Sequence, residues 1–229
     1  MSGKQKKANP AQEAFQGGVG LVKANPVLGP LLGEAATHFD DSYPMARDDW
    51  AWVDANGHIY ANSRRRAATG EWAYVLAHCL LHLALGHIRE DREGDPLWNA
   101  ACDCVAARYL ADLHIGTPPG ELSYPLPSNA REEEALYRWL KEHRDGAYFH
   151  FSTMSGGRAD MVWRPRVAVY WRSGVTDWRQ IFAESLRDAL RSAVDYAGGV
   201  VMEPGKRRHM GPIERAQEWF LSSYPLLGG

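Results

Sequence analysis

Two histidines four residues apart, His78 and His82, are where this chain could do chemistry. On a helix they sit one turn apart on the same face, so both imidazoles can reach a single metal ion. They lie in Leu76-Ala77-His78-Cys79-Leu80-Leu81-His82-Leu83-Ala84-Leu85-Gly86-His87. In zinc peptidases of the pattern His-Glu-x-x-His, the residue after the first histidine is the glutamate that takes a proton from the reacting water. Cys79 stands in that place here. The chain offers the ligands of a zinc hydrolase without its usual general base. With 9 histidines present, one such pair can also arise by chance, as two core imidazoles.

A hydrolytic zinc site needs three protein ligands and one open position. Asp103 is the first candidate for the third, because an acid inside the apolar run Trp98-Asn99-Ala100-Ala101-Cys102-Asp103-Cys104 is costly unless paired or metal-bound. Two helices joined by a short loop pack antiparallel, which would return Asp103 opposite His82. The alternative is an ion pair with Arg89 or Arg108. His87 competes for the same role. On an unbroken helix it would point away from His78, and only a reversal at Gly86 would turn it back. Asn99, one turn before Asp103, can orient a ligand by hydrogen bonding or face solvent at a helix start.

Cys79 has three readings. A thiolate could bind the metal, although adjacent helical positions diverge by about 100°. A thiolate could act as base, although beside a cation it would ligate or oxidise instead. The third, a small buried apolar residue in a site that lost its base, ranks first. Cys102 and Cys104 point in different directions on a helix and are expected to pack in the core.

Several elements must position these groups. A polar tail over residues 1–10 is expected to be disordered, followed by a helix from Pro10 to Lys23 that Asn25-Pro26 and Gly29-Pro30 interrupt. Trp50 to Val53 and His58 to Ala61 flank an Asn56-Gly57 turn and predict a β-hairpin. Thr69 is expected to cap a helix running to Leu85, apolar nearly all round and therefore buried, with Gly86 as its stop. Asp95-Pro96 opens a helix to Leu113. Ser128 is expected to cap a helix from Ala130 to His143. Met161 to Trp171 is extended in character, Thr176 caps a helix to Tyr196, and a last helix spans Pro212 to Ser222. The Gly-containing stretch at 146–160 suggests a division into a domain at 11–146 and a helical extension at 147–229.

Composition narrows the classes. A net charge of −2 over 229 residues makes no electrostatic case for nucleic acid. No run of about 18 apolar residues is present, and the first thirty carry no apolar stretch of the signal-peptide kind. Three cysteines without framework spacing fit reduced thiols, so a soluble, cytoplasmic protein is expected. No phosphate-cradling glycine loop or Gly-x-Ser-x-Gly elbow occurs.

The run Glu71 to His87, followed by Pro96-Leu97-Trp98-Asn99-Ala100-Ala101-Cys102-Asp103, resembles a bacterial family of metallopeptidase-like domains found N-terminal to von Willebrand A-like domains. Its members read His-Glu-x-x-His, then Gly-His, then Trp-Asn-x-Ala-x-Asp. The likeness spans roughly residues 45–140. It implies a zincin-like fold, zinc at His78, His82 and Asp103, a peptide or protein substrate, and partnership with a MoxR-type AAA ATPase or a von Willebrand A-like domain. Two departures stand out: Cys79 replaces the glutamate, and no Asp-x-Ser-x-Ser motif follows.

The expectation is an α+β, zincin-like, mainly helical protein with a small sheet, binding zinc and catalytically inactive through loss of its base. Two alternatives stand beside it. One is an active zinc hydrolase using another acid, such as Glu34 or Glu71. The other is a metal-free adaptor module of an AAA ATPase system.

Overall fold

The computed structural model describes residues 9–41, 45–122, 132–143, 154, 159–163 and 176–198. Helix α1 (Pro10–Ala24) starts where Asn9 accepts a hydrogen bond from the Ala11 amide at 3.1 Å, with proline in the first turn. The helix begins at Pro10 as expected and runs one residue past Lys23. Asn25 stops α1 and accepts from the amides of Val27 and Leu28, both at 2.9 Å. The short α2 (Gly29–Glu34) and strand β1 (Ala36–Asp40) follow, neither of them expected from the sequence.

Strands β2 (Ala51–Asp54) and β3 (His58–Asn62) form the antiparallel hairpin, with Trp52 opposite Tyr60 and Val53 opposite Ile59. Gly57 adopts φ 84° in its turn. Asp54 Oδ1 accepts from the amides of Asn56 and His58, an Asx-type brace of that turn.

Helix α3 (Thr69–Leu85) is the centre of the molecule: every residue from Trp72 to Leu85 is buried. It packs against α1, β2 and two later helices, α4 (Pro96–Leu113) and α6 (Trp178–Gly198). Leu76, Leu80 and Leu81 are wholly buried, and each such side chain contributes about 1.5–3 kcal/mol. That apolar surplus offsets the cost of the ionisable groups carried on the same helix. Thr69 is the first helical residue rather than the cap. Ala68 holds the cap position, its amide donating to the Glu71 carboxylate at 2.8 Å.

Helix α4 is capped by Asp95, which accepts from the amides of Leu97 and Trp98. Helix α5 (Glu133–Glu142) begins three residues later than expected, and Ser128 lies outside the described residues. Strand β4 (Met161–Val162) is all that is described as strand in the expected extended run, of which 164–171 lie outside the described residues. Asp177 rather than Thr176 caps α6, accepting from the Gln180 amide at 2.9 Å. The Pro212–Ser222 helix and the 146/147 division also fall outside the described residues. Leu140 before that division and Met161 and Phe182 after it share one apolar core.

The sheet runs β1-β3-β2-β4, with β1 parallel to β3 and β4 parallel to β2. The architecture is α+β, and among the described residues no helix is long and apolar enough to cross a membrane.

Candidate metal centre

The four-residue spacing on α3 does what a 3.6-residue turn dictates: His78 and His82 stack on one face with their Nε2 atoms 2.8 Å apart. Helix α4 lies against α3 and brings Asp103 to both. Asp103 Oδ1 is 3.4 Å from His78 Nε2 and 3.3 Å from His82 Nε2. A fourth group joins them from the residue before β4. Asp160 Oδ2 lies 3.5 Å from His78 Nε2 and 3.8 Å from His82 Nε2. All four side chains are fully buried, and their ligand atoms lie within 4.8 Å of one another.

Two carboxylates in an apolar interior demand positive charge. Among the described residues neither Asp103 nor Asp160 pairs with lysine or arginine; of the two expected alternative partners, Arg89 binds Asp91 and Glu134 instead, and Arg108 forms no ion pair with Asp103. Asp103 Oδ1 and both Asp160 oxygens accept no hydrogen bond among the described residues. The demand is met in part by His78. Burial alone would lower its pKa, but Asp103 and Asp160 outweigh it and raise the imidazole to about 9. A proton there does electrostatically what a cation would do.

The spacing fits a metal ion. Ligand distances of about 2.0–2.1 Å imply about 3.3–3.4 Å between ligand atoms at the corners of a tetrahedron. Five of the six separations, 2.8, 3.3, 3.4, 3.5 and 3.8 Å, bracket that edge, and the sixth, between the two carboxylates, is within 4.8 Å. A buried cluster of two imidazoles and two carboxylates can therefore hold a metal ion.

His87 does not join this group. Gly86 ends α3 in the left-handed conformation at φ 69°, a conformation glycine adopts at little cost, and the chain reverses there. His87 returns to the far side of His82, its Nδ1 3.0 Å from His82 Nδ1. Its carbonyl accepts from Trp98 Nε1 at 2.9 Å. Arg179 of α6 donates to the Leu85 carbonyl at the same helix end, where the dipole favours a cation. Burial first, then His82, His78 and Arg179, hold the His87 pKa well below its ordinary value, so this ring stays neutral.

Asn99 ties the carboxylates together. Its Nδ2 donates to Asp103 Oδ2 at 3.0 Å, and its Oδ1 accepts from the Asp160 amide at 3.0 Å. Outer hydrogen bonds of this kind orient metal ligands.

Cys79 is buried outside the group of four. Burial, then the charges of Asp160 and Asp103, push its thiol well above the ordinary range, which disfavours a thiolate base in the metal-free protein. Cys102 and Cys104 are likewise buried thiols in the core. Glu71 is engaged at the start of α3 and Glu34 is exposed, so neither supplies a base here.

Asp160 escaped the reading of the sequence. Its one signal is an acid directly before the apolar pair Met161-Val162, masked by the glycine-rich approach that reads as loop. Comparison against protein-family models, curated proteins and solved structures gives no match.

Proposed function

We propose that this chain is a zinc-binding, metallopeptidase-like protein of zincin-like architecture that does not hydrolyse peptides. The observation that carries the reading is the convergence of His78, His82 and Asp103 from two adjacent helices at ligand spacing in a dry interior. Imidazole nitrogens with carboxylates suit zinc better than magnesium or calcium, which take oxygen ligands. Bound zinc would supply Lewis-acid polarisation and a fixed positive charge. The residues His78, His82 and Asp103 would hold it, Asn99 would orient Asp103, and His87 would accept the Nδ1 proton of His82. That last bond leaves the His82 Nε2 lone pair for the metal.

Hydrolysis in such a scaffold needs a general base beside the metal. Cys79 occupies the position with a thiol whose ionisation is opposed by burial, which supports loss of catalysis. The resemblance of the two-helix segment supports a polypeptide as the recognised class, and a MoxR-type AAA ATPase or a von Willebrand A-like protein as partner.

Metal content of the purified protein tests this. The expected result is about one zinc per chain, lost in His78→Ala, with no chelator-sensitive peptide cleavage. Absence of stoichiometric metal in the unmodified protein contradicts it.

A further inference from the structure

We propose that Asp160 is a fourth protein ligand, closing the position that hydrolysis must leave open. The centre is then shut twice, by the missing glutamate and by this carboxylate. The inference rests on the zinc reading above and adds the coordination state of the site.

Asp160 is fully buried, yet among the described residues neither carboxylate oxygen accepts a hydrogen bond. An unsatisfied carboxylate at such depth is expensive and calls for a partner. Its Oδ2 faces both Nε2 atoms at 3.5 and 3.8 Å, close to the 3.4 and 3.3 Å of Asp103. A general base stands off from the metal by one water, whereas Asp160 holds the spacing of a ligand.

The backbone keeps it there. Its amide donates to Asn99 Oδ1 at 3.0 Å, and its carbonyl accepts from the Val53 amide at 2.8 Å. The next residue, Met161, is in register with Val53 in the sheet. One amide side chain, Asn99, therefore grips the Asp103 carboxylate with one end and the Asp160 backbone with the other. Among the described residues, a cleft beside the site is lined by His87, Asn99, Ala159 and Met161, but by none of the four clustered residues. Zinc sites with four protein ligands are structural, and those with three keep a place for substrate.

A consequence separates this from loss of the base alone: Cys79→Glu by itself will not restore an accessible metal. Cobalt(II) replacing zinc reports it through visible absorption, with acetohydroxamate as the incoming ligand. The expected result is a cobalt spectrum that acetohydroxamate leaves unchanged in the unmodified protein and in Cys79→Glu. In Asp160→Ala it should shift and saturate. Loss of a hydrogen-bonding partner outside the ligand set weakens metal binding about 10–100-fold, and loss of Asp160 should cost at least that much. Asp160→Asn, which keeps the shape, serves if the alanine variant does not fold, and should show the same shift. A spectrum that responds to acetohydroxamate in the unmodified protein overturns the closure while leaving metal binding intact. So does an unresponsive variant that still holds cobalt. Failure of the unmodified protein to take up cobalt or zinc overturns both readings.

Discussion

His78 and His87 are equally hidden from water and titrate in opposite directions. Burial discourages the charged form of both, but His78 faces two carboxylates whereas His87 faces two imidazoles and Arg179. The sign for His78 follows from a folded-state value raised from 6.5 to about 9. In metal-free protein its stabilisation is complete below about pH 6.5 and is lost as pH rises through about 9. A metal needs the neutral ring, so it must displace that proton. Calorimetric zinc titration at pH 7 in two buffers of different ionisation enthalpy should therefore show about one proton released per ion. The release should fall towards zero above pH 9, and a pH-independent value near zero contradicts the assignment. At this scale much of the site was legible in the sequence. The His78–His82 spacing and the acid inside the apolar run of α4 needed only helix geometry. Asp160 did not follow, because its place depends on β4 pairing with β2, a contact between distant segments that no local pattern encodes.

Among the elements, α3 and α4 follow directly from apolar content and their end signals, Gly86 and Asp95-Pro96. The hairpin follows from Asn56-Gly57 in the same way. Strand β1 was hidden: it is short, only half-buried, and parallel to β3, so no turn announces it. The crossing of α1 on α3 has its own cause. A Cβ on Gly18 would meet Trp72 Cβ at 2.6 Å and the Ala73 amide nitrogen at 2.9 Å, so the two helices touch through a missing side chain. Helix propensity alone would make Gly18→Ala stabilising by about 1 kcal/mol. The close approach should reverse the sign and cost about 1–3 kcal/mol, as overpacking does. Urea unfolding decides it, and a higher midpoint in the variant contradicts the crossing described.

For the molecule as a whole, the four clustered residues belong to three separate stretches of chain: α3, α4 and the residue leading into β4. An ion held by all of them joins the helical core to the sheet, and its binding energy becomes folding energy. The expected α+β class is what the fold shows, and its functional meaning turns on which atoms surround that ion. X-ray absorption at the zinc edge of the loaded protein addresses this most directly. The account predicts two imidazole nitrogens and two carboxylate oxygens at about 2.0–2.1 Å, with no sulfur. A scatterer at the zinc–sulfur distance of about 2.3 Å would make Cys79 a ligand and contradict it, as would a shell without imidazole.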